Sequence, residues 1–206
     1  YEGKLFHQYR FNYATFEGID ESQLNGQNTN LINGTETVKP RFWVKDKVFE
    51  HWCNDNNYEY KWMFGLRGIC RATDERTSIC SMLPLMPGGN SIAYLTGISV
   101  EETICLVFSL NSFICDFVSR QKVGGINFNF WIAYQQPVIP FEKLKLSDYY
   151  ANVKENVLKL TYYHELLRPF AEDLGYYGDP FPYNEEERFQ MQCELDAIAA
   201  KLYRIN

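Results

Sequence analysis

The chain lacks any run approaching the roughly 20 apolar residues that a membrane-spanning helix needs, so no span is expected in its 206 residues. It lacks a charged start followed by an apolar stretch, so no signal peptide is visible. It opens on Tyr1 in the middle of a patterned segment, and the expectation is a piece of a longer polypeptide. None of the six cysteines (Cys53, Cys70, Cys80, Cys105, Cys115, Cys193) forms a C-x-x-C pair, which leaves a zinc site or disulfide framework without support. Free thiols, mostly buried in a reducing cytoplasm, are the expected state. The three histidines, His7, His51 and His164, are too scattered for a metal cluster. Positive charge is also short: the net charge is −6.

That sum hides an uneven distribution. Residues 146–206 hold 6 Lys/Arg against 11 Asp/Glu, whereas residues 1–145 hold 14 against 15, so the acidity sits in the tail. Within 39–47, Lys39, Arg41, Lys45 and Lys47 face one acid, Asp46, with Trp43 among them. Such a patch can contact phosphates even in an acidic protein. An ordinary solvated strand edge, where lysine discourages aggregation, has the same composition. Aromatic content is high, with 15 Tyr and 15 Phe, enough to fill a core and leave rings for surface recognition.

The pattern divides the chain in two. Residues 1–145 mix short strands, turns and one apolar helix. The polar stretch 20–38, with Asn25-Gly26 and Asn33-Gly34 as turn signals, reads as a long loop or exposed hairpin. Strands are expected at Phe42-Trp43-Val44, 58–64, 77–83 and 91–98, rich in aromatic and β-branched residues. Leu106, Leu110, Phe113 and Phe117 fall on one face of a helix expected to be buried. Arg120 and Lys122 mark its C-terminal end, and Gly124-Gly125 break it. Ile126, Phe128, Phe130 and Ile132 then alternate with Asn127, Asn129, Trp131 and Ala133 as a half-buried strand would. Residues 146–206 read as a helical module. Val153, Val157, Leu160 and Tyr163 suggest one helix. Asn184 then offers an N-cap, with Glu187 placed for a capping box, ahead of the apolar stripe Met191, Leu195, Ile198, Ala199 and Leu202.

Four blocks in order carry a resemblance: YEGKLFHQY at 1–9; RATDERT at 71–77; the segment 110–140; and the tail from 160 to 203. The third block contains Leu110-Asn111-Ser112, Asp116, Arg120-Gln121-Lys122-Val123-Gly124-Gly125, Asn129-Phe130 and Pro137-Val138-Ile139-Pro140. Together they resemble the C-terminal target-recognition region of type IIG-like restriction–modification enzymes and related phage-defence adenine methyltransferases. The resemblance covers nearly the whole chain outside the polar insert. It implies an α+β target-recognition domain at 1–145, with a mixed or antiparallel sheet similar to TaqI-like specificity domains and type I specificity subunits, and a helical module at 146–206. It also implies double-stranded DNA and the upstream catalytic domain of the same polypeptide as partners, with no membrane. Both catalytic centres of the family lie upstream, so no catalytic residue and no cofactor is expected in this part. The parent would use S-adenosylmethionine, and Mg²⁺ if it cleaves DNA.

The motifs an amino-methyltransferase needs are missing, in line with that implication. Gly88-Gly89 and Gly124-Gly125 make no methyl-donor turn. Asp179-Pro180-Phe181-Pro182-Tyr183 displaces the second proline of the base-holding motif and reads as a turn leading into the last helix. A nuclease site would pair acids with an Asp/Glu-x-Lys element. Glu59-Tyr60-Lys61, with Asp46 or Asp55 upstream, fits that short pattern and defines an alternative Mg²⁺ nuclease reading. A second alternative, suggested by the acidic tail and abundant aromatics, is a protein-interaction module of a phage-defence complex.

DNA reading needs phosphate contacts for register and side chains at base edges. The phosphate candidates are Lys39, Arg41, Lys45 and Lys47, then Arg71 and Arg76, then Arg120 and Lys122; Asn127 and Asn129 are the amide candidates. Each has a structural rival: turn and ion-pair contacts for residues 74–76, the helix dipole for Arg120 and Lys122, local backbone bonds for Asn111-Ser112.

Overall fold

A computed structural model describes residues 1–25 and 28–205. The fold is α+β, with two small antiparallel sheets and helices throughout the second half. In chain order the elements are β1 (Ala14–Thr15), β2 (Asn30–Leu31), α1 (Asp46–Asp55), β3 (Trp62–Arg67), β4 (Cys80–Pro84) and β5 (Ile92–Leu95). There follow α2 (Val100–Asn111), α3 (Phe113–Lys122), α4 (Phe130–Ala133), α5 (Phe141–Lys145), α6 (Tyr150–Thr161), α7 (Arg168–Asp173) and α8 (Glu185–Tyr203).

The main sheet runs β4-β3-β5, with Leu66 opposite Cys80 on one side and Arg67 opposite Ile92 on the other. β3 and β4 are buried along nearly their whole length, which explains their continuous apolar runs. Gly65 in β3 is required by packing: a Cβ there would lie 2.5 Å from Leu83 Cδ1. β1 and β2 pair Ala14 with Leu31 and Thr15 with Asn30, so the polar stretch 20–38, expected as a long loop or exposed hairpin, joins an antiparallel pairing through Asn30 and Leu31. The turn signal at Asn25-Gly26 falls on Gly26, outside the described residues.

The central helix departs from its expected course at Ser112. Ser112 is extended (φ −67°, ψ 152°), ending α2 and capping α3 by accepting a bond from the Cys115 amide. The axis turns by 64° there. α2, closed at its start by a full capping box between Ser99 and Glu102, is the buried helix. α3 is only partly buried, and Phe113 and Phe117, expected on the core face with Leu106 and Leu110, are exposed. No single helix among the described residues is long and apolar enough to cross a membrane.

Two expected strands do not form. Phe42-Trp43-Val44 is exposed and unpaired by any ladder, following Pro40 in an extended segment. At 126–132 only one bridge forms, Ile69 with Asn127. The Asn129 side chain then accepts a bond from the Ile132 amide and starts α4, diverting the alternating pattern into a single helical turn.

In the tail, α6 ends at Thr161 and leaves Tyr163 outside it, and only the Asn184 half of the expected capping box forms. Asn184 caps α8 by accepting from the amides of Glu186 and Glu187, and Leu195, Ala199 and Leu202 are buried. α8 packs on α6, α2 and α3. One continuous set of buried apolar side chains runs from Phe6 through the sheet and α2 to Leu202, so the core crosses residue 145 without a break.

Candidate nucleic-acid interface

The segments 71–80 and 111–120 hold each other in place. Asn111, buried at the end of α2, accepts from the Cys80 amide and donates to the Cys80 carbonyl, fixing the start of β4. Asp116 accepts from the amides of Thr77 and Ser78 at 2.6 and 2.9 Å. Its other oxygen accepts from Arg120 Nε at 2.7 Å, and Arg120 also donates to the carbonyls of Ala72 and Glu75. The 71–76 turn closes on itself, with the Arg71 amide donating to Asp74. These segments are far apart in sequence, and buried backbone groups outside the sheet ladder must find such partners. Arg120, a phosphate candidate by sequence, thus ties the 71–76 turn to α3, a role that goes beyond its rival reading as a cap on the helix dipole. Ser112 does bond its local backbone, while Asn111 bonds at long range.

The other sequence candidates fall into separate groups. Lys122 donates to Gln135, and Asn129 is occupied as the cap of α4; both stand near exposed Trp131 and Tyr134. Asn127 is exposed, with its backbone paired to Ile69. Gly124 and Gly125 are exposed, and a Cβ added at either would meet no neighbouring atom within 4 Å. Lys39 pairs with Glu17 at the surface. Arg41 is largely buried against Glu2 at 2.7 Å and lies over the rings of Phe16 and Phe42. Lys45 and Lys47 are exposed at the beginning of α1, next to Trp43. Arg71 is exposed at the turn.

Arg76 leads to a feature that sequence reading did not find. It lines a depression of about 360 Å³ together with Arg10 and Arg188, between the first block, the 71–77 block and α8. Arg188 is only 4% exposed, and all three guanidinium groups carry a buried nitrogen with no hydrogen-bond partner: Arg10 Nε, Arg76 Nη1 and Arg188 Nη1. Two of them form long ion pairs, outside close hydrogen-bond range, with Arg10 3.6 Å from Glu185 and Arg76 3.7 Å from Asp196. Aromatic rings supply much of the remaining surroundings. Arg76 stacks over Phe113 at 3.8 Å, Arg188 lies over Tyr163 and Tyr183, and Arg10 over Tyr13 and Tyr183. Exposed Phe113 and Phe189 also line the depression.

Tyr13 is shared with an adjoining depression lined by Arg41, Arg67 and Ile69. Arg67 Nε is likewise buried without a partner. Five arginines therefore line two neighbouring hollows, although only Arg41 and Arg76 were among the sequence candidates. The electrostatic consequence appears at His7, which stacks on Tyr13 at 4.7 Å. Burial, and then the charges of Arg67, Arg76 and Arg10, push its pKa down to about 4, so it is neutral at neutral pH. Burial also lowers the Arg188 pKa, although an arginine keeps its proton under such shifts. A signal for Arg188 was present: positions 188, 195, 199 and 202 share the buried side of α8, so a cation stood on an apolar stripe.

Among the described residues no three His, Cys, Asp or Glu side chains are grouped to hold a metal. Glu59 and Lys61 are exposed, and Asp46 and Asp55 stand at opposite ends of α1, roughly 14 Å apart along its axis. Cys70, Cys80, Cys105 and Cys115 are buried free thiols, while Cys193 is exposed. No protein-family model, curated protein or solved structure matches this chain.

Proposed function

We propose that this chain recognises double-stranded DNA as the specificity region of an adenine-specific DNA methyltransferase, with or without a fused endonuclease. In this reading the catalytic domain lies upstream in the same polypeptide, works in the cytoplasm with S-adenosylmethionine, and uses Mg²⁺ if it also cleaves. This part itself catalyses nothing.

The observation that carries the reading is the row of arginines around Tyr13 in a protein of net charge −6. Phosphate contacts dominate the affinity of DNA-binding proteins, and a local cationic trough supplies them regardless of net charge. Exposed Arg71, Lys122 and Asn127, with the open Gly124-Gly125 backbone, provide further polar groups on the segments that border Ile69. The test is titration of the chain with short duplexes at low salt, read by fluorescence anisotropy. Affinity that falls steeply with salt is the expected result. Indifference of both the chain and its full-length parent to every duplex would overturn the reading.

A second reading, a protein-interaction module of a phage-defence complex, is favoured by the exposed rings of Phe113, Phe117, Trp131 and Tyr134. A partner retained at high salt with no DNA in the complex would favour it over the first.

A further inference from the structure

We propose that the depression between Arg10, Arg76 and Arg188 is a seat for a phosphate group. The argument begins with the energetics of guanidinium burial. A charged group withdrawn from water needs close partners for its N–H donors, and unpaired buried donors are costly. Arg120, which bonds the 71–76 turn, gives each of its three nitrogens a partner through Asp116 and two backbone carbonyls. The three arginines of the depression do not. Each retains a buried nitrogen without a partner, and Glu185 and Asp196 stand beyond close hydrogen-bond range.

The acids that surround the depression are otherwise engaged. Asp196 accepts from the Phe113 amide at 2.8 Å, anchoring α3 to α8. Glu185 is exposed and accepts from the Tyr183 hydroxyl at 2.8 Å. Glu75 is exposed. A tetrahedral oxyanion suits a depression lined by three guanidinium groups, since arginine forks fit phosphate geometry, and the buried unpaired nitrogens mark positive charge that no acceptor within the protein absorbs. Gln8 also lines the depression, with its side-chain nitrogen donating to the carbonyls of Ser78 and Asn111. Burial is the main reason that His7 stays neutral beside the arginines, and their positive charge adds to it; a bound anion would offset the second contribution.

The inference deepens the DNA reading, and it rests on that reading only for the source of the phosphate. A backbone phosphodiester and a free phosphate ion share the chemistry, and two arms separate them. The first follows thermal unfolding of the full chain in inorganic phosphate against chloride at equal ionic strength. The expected result is a phosphate-specific rise in Tm that is lost in Arg10→Gln and in Arg76→Gln, and kept in Lys145→Gln, at an exposed lysine of α5 outside the depression. Both depression variants are checked for native circular dichroism; Arg188 is left intact because its side chain is also packed in the fold. The second arm measures duplex binding of the same proteins by anisotropy.

A tenfold or greater loss of duplex affinity in both variants, with inorganic phosphate competing, assigns the seat to the DNA backbone. A phosphate response without duplex binding keeps the seat and removes the DNA reading. Duplex binding that is unchanged in both variants, with no phosphate-specific Tm shift, removes the seat and keeps the DNA reading. A shift equal in Arg10→Gln, Arg76→Gln and the parent chain also overturns the seat, because the ion then binds elsewhere.

Discussion

Arg120 and Arg76 stand on either side of one turn and have opposite surroundings. Arg120 lies 2.7 Å from Asp116 and donates to two carbonyls, so its charge and donors are absorbed within the protein. Arg76 stands 3.7 Å from Asp196, stacks on Phe113, and leaves Nη1 unpaired beside Arg10 and Arg188. The same side chain thus serves as a strut in one place and as an unfilled donor in the other. A strut should matter to stability, and an unfilled donor to binding.

The largest expected effect is on the strut side. Asp116→Ala removes the acceptor of two buried backbone amides and of Arg120. Breaking a buried, hydrogen-bonded pair typically costs about 3 kcal/mol or more. Denaturant unfolding should show a loss of that size, and a loss under about 1 kcal/mol would erase the contrast between the two arginines. Asn111→Ala should come next, at about 2 kcal/mol, because it leaves both the amide and carbonyl of Cys80 without that partner. An Asn111→Ala protein as stable as the parent would mean that this junction contributes little to holding β4 on α2.

The binding side gives a subtler signal, at His7. Its folded-state pKa of about 4 lies below the ordinary value of 6.5. The unfolded chain therefore takes up a proton first as pH falls, and the native state loses stability from pH 6.5 down to about 4. His7→Gln should flatten that part of the stability profile. Phosphate in the depression should raise the His7 pKa by offsetting the arginine charges, as followed by NMR titration of the ring. A His7 titration that is identical with and without phosphate would count against an anion at that place.

How much of this could be read from the chain varies with the range of the interactions involved. The last helix was legible because its signals are local: Asn184 caps it and the apolar stripe from Leu195 to Leu202 repeats at helical spacing. The buried strands at Trp62–Arg67 and Cys80–Pro84 were visible as apolar runs, with boundaries shifted by a few residues. Where competing local bonds decided, the pattern misled. Ser112 turned one helix into two, exposing Phe113 and Phe117, and Asn129 capped a helical turn inside an alternating segment.

The candidate site was the least legible part. Asp116 stands four residues before Arg120 on α3, a local pairing within reach of sequence reading, whereas Asp196, the partner of Arg76, lies on α8 far along the chain. Arg10 and Arg188 meet across nearly the whole chain, and only the position of Arg188 on an apolar stripe hinted that it was buried with a purpose.

The most direct measurement is the salt dependence of duplex binding by the parent chain and by Arg76→Gln. Each phosphate neutralised contributes about 0.9 to the slope of log K against log salt. The expected result is a steep slope for the parent chain and a slope smaller by about one for Arg76→Gln, with folding intact. Equal slopes and equal affinities for the two proteins would contradict a phosphate seated among these arginines.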